Sequence, residues 1–330
     1  MAKKIRYGIA GFGAFAERTI TPAFQKSLNS ELVAIQKRSF AAAKEKAVAL
    51  NIPLAFDSVE KMVASPEVDA IFIVSVNSSH APETIAAAKA GKQVLTEKPM
   101  ALNVTEAQTM IDVCKESNVR LMVGHMVRLS PLVLRMKDLI KSGIIGRITF
   151  IKSEFIYDGR LSHRKWLVDP KIAGGGPIFD IGVHCFDTTR FLLDDTAVSV
   201  KSVLDPVPSP TRTESTAQLA IKFSRGTTAG IYCSYDSPIR RTYIEIIGER
   251  GLLSAENFSW SNNTLKLNVV LGENDKIIEK REEVFAVPDL YEKEISLFSD
   301  CILNNTESPI PGEEGLINQR VIDEAIKYRL

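Results

Sequence analysis

Cysteine is scarce in this chain of 330 residues, net charge is close to zero, and no long apolar run interrupts the sequence. Cys114, Cys185, Cys233 and Cys301 stand far apart, form no CxxC pair and have no clustered histidines beside them. Neither a disulfide framework nor a structural zinc site has support, no metal is expected, and the thiols are expected to stay reduced inside a cell. A net charge of +1 offers no polyelectrolyte face, which argues against nucleic acid as a partner. No segment approaches the roughly 20 uninterrupted apolar residues that span a bilayer, so no membrane partner is expected. Internal repeats and low-complexity tracts are lacking too. Lys3 and Lys4 followed by YGIAGFGAFA resemble the basic start, apolar run and Ala-x-Ala site of a secretion signal. Gly8, Gly11 and Gly13 would weaken that helix, and Glu17 and Arg18 follow at once. The expectation is a soluble, cytoplasmic protein.

At this length, 45% hydrophobic and 25% charged residues suffice for two ordinary domains, each burying its own core. IRYGIA (5–10), ELVAI (31–35), PLAF (53–56), AIFIVSV (70–76), QVLTE (93–97) and RLMVGH (120–125) read as short strands separated by helical patterns. The unbroken apolar run at 70–76 is what a central parallel strand covered on both faces requires. This alternation predicts an α/β Rossmann domain, a doubly wound parallel sheet, over residues 1–126. Beyond a helix near 132–142 the character changes to long strands rich in Thr, Tyr, Ile and Val, such as RITFIKSEFIY and RTYIEIIGE, with turn signals at 224–226 and 248–251. Residues 127–330 are therefore expected to form an α+β domain with a large, mostly antiparallel sheet. A helix after Pro177 should lie on one side, and closing helices near 290–303 and 315–329 should pack back on the body.

Gly11, Gly13 and Ala16 form GxGxxA directly after the first strand. The two glycines let the backbone turn and approach a pyrophosphate, which then meets the exposed amides and positive dipole end of the helix, so Phe12, Ala14 and Phe15 join the cofactor loop. The end of the second strand, where an acidic residue would hold the ribose hydroxyls of NAD, reads Gln36, Lys37, Arg38, Ser39. Two cations and a hydroxyl favour the 2′-phosphate of NADP over NAD, although both cations could also be solvated surface charges.

In AGGGPIFDIGVHCFD (173–187), helical spacing sets Asp180, His184 and Asp187 on one helix face. A carboxylate one turn from an imidazole can fix its tautomer and raise its basicity for proton transfer. A packed polar helix or a metal site fits the same residues. Oxidising an alcohol also needs a cation at the reacting oxygen, and Lys98, after Glu97 at the carboxyl edge of the sheet, is placed for it. A surface lysine would look the same.

GIAGFGAFA (8–16), VNSSH (76–80), GKQVLTEKPMA (91–101), WLVDPKIAGGGPIFDIGVHCFD (166–187), IIGERG (246–251) and the ending from Tyr291 together resemble the Gfo/Idh/MocA family, the glucose-fructose oxidoreductase and inositol dehydrogenase group. The resemblance covers nearly the whole chain. It implies that Lys98 hydrogen bonds the reacting oxygen, His184 is the acid or base, and Asp180 orients and tunes the site. It also implies that Val76, Asn77, His80 and Glu97 contact the cofactor, and that the bond before Pro99 is cis. With these roles Asp187 falls back to a structural one. Tyr157, Arg160, His163, Trp166 and Tyr235 are candidates for substrate contacts, though each could pack beneath a sheet instead. The expected activity is hydride transfer between nicotinamide, NADP favoured, and a hydroxyl or carbonyl carbon of a sugar, polyol or related cyclic substrate. An NAD-dependent glycoside hydrolase and a non-catalytic cofactor-sensing regulator are the alternatives within the family. The resemblance further implies a homodimer or homotetramer built through the second-domain sheet.

Overall fold

The structure, a computed structural model, describes residues 3–329. Two compact units emerge: Met1–His125 with Tyr291–Gln319, and Met126–Leu290 with Arg320–Leu330. Among the described residues no helix is long and apolar enough to cross a membrane.

In the first unit β1 (Ile5–Ala10), β2 (Ser30–Gln36), β3 (Leu54–Phe56), β4 (Ala70–Ile73), β5 (Gln93–Glu97) and β6 (Leu121–Gly124) form one sheet in the order β3-β2-β1-β4-β5-β6. Every pairing is parallel. Successive side chains point to opposite faces, and both faces are covered. Tyr7, Ile9, Ile35, Phe72, Leu95 and Met122 pack with Phe298 and Ile310 on one face, while Ile71, Ile73, Val94 and Val123 meet Met62, Ala87, Met110 and Leu316 on the other. That is why these strands read as continuous apolar runs.

Helix starts in this unit carry local caps. Ser39 and Ser58 accept the N–H groups of Ala42 and Lys61, and at the start of Val104–Glu116 Asn103 Oδ1 accepts the Glu106 N–H while Glu106 Oε2 accepts the Leu102 N–H. The helix Asn77–Lys89 begins earlier than the apolar pattern suggests, because Pro82, normally a first-turn residue, sits inside it. Asn77 and His80 thereby fall on its first turn. From Tyr291 on, helix Leu290–Leu303 is tied to the sheet by hydroxyls: Tyr7 to Ser299 at 2.8 Å, Ser30 to Ser299 at 2.7 Å and Ser27 to Ser296 at 2.9 Å.

The second unit holds β7 (Ile148–Asp158), β8 (Ala197–Asp205), β9 (Thr216–Phe223), β10 (Thr228–Ser234), β11 (Asp236–Gly248), β12 (Gly251–Glu256), β13 (Asn263–Glu273) and β14 (Lys276–Val287). Their order is β14-β13-β12-β11-β7-β10-β9-β8, antiparallel except where β10 runs parallel to β7. Helix Val183–Leu193 lies against this sheet and is anchored by a buried two-point ion pair in which Arg128 donates to both oxygens of Asp187, at 2.9 and 2.6 Å. Removing one partner of such a pair typically costs about 3–5 kcal/mol.

The glycine loop before that helix is explained by Glu214. Its Oε1 accepts the N–H groups of Gly176 and Ile178 at 2.9 and 3.1 Å, and a Cβ on Gly176 would lie 1.9 Å from the Glu214 carbonyl oxygen. Backbone cannot yield cheaply there. Gly176→Ala is expected to lower the thermal midpoint by roughly 5 °C or more, an overpacking cost of about 2 kcal/mol spread over a unit of this size. A melting curve superimposable on that of the parent protein would contradict this packing.

Candidate active site

In the first unit the glycine loop follows β1 and is held from below. Gln36 Oε1 accepts the Gly11 N–H at 3.1 Å, the Gln36 carbonyl accepts that of Phe12 at 2.9 Å, and Lys37 Nζ donates to the Phe12 carbonyl at 2.7 Å. Gly11 has φ +75° and a Cβ there would meet Ser75 Cα at 2.4 Å, so no other residue fits. Above Gly13 the space is open, the nearest atom to a Cβ being 3.8 Å away, and Gly13, Ala14 and Phe15 are exposed at the helix start. Phe15 stacks edge-on against Tyr291 at 5.5 Å. The helix continues through a π segment, Ala16–Ile20. This is a cradle for an anion such as a pyrophosphate, offered by free amides and a helix dipole.

Beside it a cavity of about 300 Å³ is lined by Gln36, Asp57, Ser58, Ser79 and Glu83. Burial pushes the Glu83 carboxyl up to about 7, against the hydrogen bond from Ser75 Oγ at 2.7 Å. Of the two cations predicted to meet a 2′-phosphate, Lys37 is half-buried on the Phe12 carbonyl, whereas Arg38 is exposed and Ser39 caps the following helix.

At the end of β5, the Lys98 backbone N–H donates to Glu97 Oε2 at 3.2 Å, and the Lys98–Pro99 bond is cis. His80 braces this turn, with Nδ1 2.8 Å from the Pro99 carbonyl and Nε2 3.2 Å from that of Ser75. Burial lowers its pKa, and a neutral ring donates to only one of these two carbonyls, which one depending on the tautomer. Asn77 is buried one turn before it, and Val76 is the extended residue preceding that helix.

In the second unit Asp180 is the centre of a donor cluster. Arg164 Nη1 donates to Oδ1 at 2.7 Å and Nη2 to Oδ2 at 2.8 Å, and Tyr157 and Tyr235 donate to Oδ2 at 3.0 and 3.1 Å. Burial, reinforced by the Asp180 charge, raises both phenols. Burial opposes the Arg164 charge, but Asp180 outweighs it and the guanidinium is held more firmly protonated. His184 is buried with its ring 6.0 Å from that of Phe155.

The segment expected to form one helix face is not α-helical throughout. Asp180 lies in a π segment, Ile178–Gly182, and only at Val183 does the α-helix begin. The wider turn breaks the α-helical register between Asp180 and His184. Asp187 lies beyond it, on Arg128. Of the predicted substrate contacts, Tyr157 and Tyr235 meet Asp180, while Trp166 lies 6.0 Å from the Arg164 guanidinium. Arg160 forms an exposed ion pair with Asp158 at 2.6 Å, and His163 is exposed. Arg164, Glu214 and Glu83 were not singled out from sequence. Each is one polar residue without a motif; the three glycines before Pro177 are the nearest signal, marking the backbone that Glu214 contacts.

Two family models match: one described as an oxidoreductase family with an NAD-binding Rossmann fold, over residues 5–125, and a GFO/IDH/MocA C-terminal domain, over residues 133–254. An uncharacterized oxidoreductase of Rhizobium meliloti is 30% identical over 323 residues, covering 97% of this chain and 95% of its own. D-xylose 1-dehydrogenase [NADP(+)] of Haloarcula marismortui is 26% identical over 327 residues, covering 96% and 89%. Among solved structures, an aldose-aldose oxidoreductase from Caulobacter crescentus complexed with glycerol superposes with a TM-score of 0.85 at 26% identity, over 97% of this chain and 96% of that one. Glycine cradle, lysine turn and both domain matches agree, and the chain belongs to the Gfo/Idh/MocA family of NAD(P)-dependent oxidoreductases.

Proposed function

We propose that this protein is an NADP-dependent dehydrogenase or reductase that interconverts a hydroxyl and a carbonyl carbon of a sugar, polyol or related cyclic substrate. One observation carries the reading: Lys98 follows β5 at the same carboxyl edge of the parallel sheet at which the glycine cradle follows β1. The relatives named for xylose and aldose chemistry support the substrate class.

When bound, the nicotinamide supplies or accepts the hydride. Gly11–Phe15 would hold the pyrophosphate, and the cavity beside Gln36 would receive the adenosine end. The Lys98 ammonium hydrogen bonds the reacting oxygen and stabilises charge developing on it. His184 takes the hydroxyl proton during oxidation and returns it during reduction, with the neutral imidazole as base. Asp180, held on both oxygens by Arg164 and on one by two phenols, orients this end of the site. Tyr157 and Tyr235, already aligned on Asp180, are the polar groups proposed to meet substrate hydroxyls.

Absorbance of reduced nicotinamide with a panel of sugars and polyols, offered with each cofactor, tests the activity. Sugar release from glycosides without accumulation of reduced cofactor would identify a hydrolase instead. Lys98→Ala and His184→Ala are each expected to lower turnover by about two orders of magnitude or more, with cofactor affinity changed little. Near-parental turnover in either variant removes that residue from the mechanism.

The carboxylate-free end of β2 and the exposed Arg38 support NADP. Lys37→Ala with Arg38→Ala should weaken NADP relative to NAD by roughly tenfold or more, the scale of one or two charge-assisted contacts. An unchanged ratio of the two dissociation constants rejects the preference. Assembly as a homodimer or homotetramer would use the second-unit sheet, where Gln218, Ala220 and Lys222 of β9 and Tyr232 of β10 stand exposed. Light scattering that gives the mass of one chain at working concentration would eliminate this assembly.

A further inference from the structure

Glu294 is fully buried in helix Leu290–Leu303, and neither of its carboxyl oxygens has a hydrogen-bond partner among the described residues. A bare carboxylate in such a place is costly, and the usual remedy is a retained proton. The place itself is specific. Gly124 is the register partner of Glu97, and a Cβ on Gly124 would lie 3.4 Å from Glu97 Cα and 3.5 Å from Glu294 Oε2. Gly124 thus borders both the Glu294 carboxyl and the end of β5, where Glu97 is itself buried and accepts the Lys98 backbone N–H.

The titratable side chains carried by the elements at this point are Glu97 at the end of β5, Lys98 after it, His125 after β6, and Tyr291, Glu292, Lys293, Asp300 and Cys301 on the helix of Glu294 itself. His125 has its Nε2 3.0 Å from Asn318 Nδ2 on the closing helix. Burial drives the Glu294 carboxyl well above the ordinary carboxylate range, and the charge of Glu97 drives it in the same direction. Glu97 and Glu294 are both buried beside Gly124, and two buried carboxyl groups that sense each other's charge do not both ionise.

We propose that Glu97 and Glu294 hold one proton between them, and that Glu294 is a positioning residue whose protonated carboxyl fixes Glu97 and, through it, the backbone from which Lys98 projects. The link to Lys98 rests on the reading that Lys98 acts on the reacting oxygen; the shared proton does not.

The sign of the pH effect follows from linkage. The unfolded chain releases the Glu294 proton near the ordinary glutamate value of about 4.3, while the folded chain keeps it, so folding becomes less favourable as pH rises above that value. Glu294→Gln has no proton to lose. Its thermal midpoint, minus that of the parent, is expected to increase steadily between about pH 5 and pH 8, and a constant difference overturns the shared proton. Carboxyl carbon-13 resonances of the cofactor-free protein give a second readout. One glutamate signal should stay at the protonated position at pH 8 and vanish in Glu294→Gln; its absence from the parent protein overturns the proposal even if the variant folds poorly.

For the positioning role, Glu294→Leu, which fills the space but cannot donate, should lower kcat roughly tenfold while cofactor affinity is retained, and Glu294→Gln should recover most of that loss. Equal turnover in both variants overturns the role. Should Lys98→Ala prove fully active, the assignment of Lys98 fails, while the pH and resonance results still decide the shared proton.

Discussion

Six parallel strands place all their carboxyl ends on one edge, and everything the first unit offers to a ligand follows from that constraint. The glycine cradle, the helix start at Asn77 and the Lys98 turn come from widely separated stretches of sequence, yet each occupies a strand-to-helix loop of the same edge. The strands can be this short because they are buried on both sides by apolar side chains; β4 carries no exposed residue at all. Rigidity beneath and polar groups above are two results of one arrangement. His80 and Gln36 serve it directly, as they spend their polar atoms on backbone carbonyls and amides of the loops.

The second unit solves a different problem, that of holding a buried carboxylate ready. Asp180 is surrounded by donors from three places in the chain, Tyr157, Arg164 and Tyr235, and the segment that bears it is pinned at its start by Glu214 and farther along by the Arg128–Asp187 pair. A π segment is the visible compromise, since it aims Asp180 at its partners and then restores the α-helix for His184. The four cysteines play no part in this: all are free and buried, and burial pushes the Cys114 and Cys185 thiols up to about 12.

Most of the fold was legible because both of its periods are strong. Continuous apolar runs between helical stretches specify a covered parallel sheet, and long β-branched stretches with glycine turns specify an antiparallel one. What escaped was weakly patterned. β14 is exposed throughout its first half and alternates between half-buried and exposed only from Arg281 on, so KIIEKREEVFAV shows a weak pattern, and β8 and β12 are too short or too polar to stand out. In the site, local motifs announced Gly11, Lys98 and His184. Arg164 and Glu214 were invisible because their meaning lies in a partner 16 and 38 positions away. At Asp180 the spacing assumed α-helical geometry, and a wider turn is present.

The first unit is discontinuous, its sheet complete by Gly124 but one of its covering helices supplied only from Tyr291 onward. During synthesis the ribosome adds roughly 170 residues between those points, a delay on the order of ten seconds or more at ordinary elongation rates. Throughout that interval Tyr7, Phe72 and Met122 lack Phe298, and Ser27 and Ser30 lack Ser296 and Ser299. The nascent chain thus carries a half-finished apolar face until its own tail arrives, and a chain cut short before residue 291 would keep the glycine turn yet lack Tyr291 against Phe15 and Phe298 against the sheet.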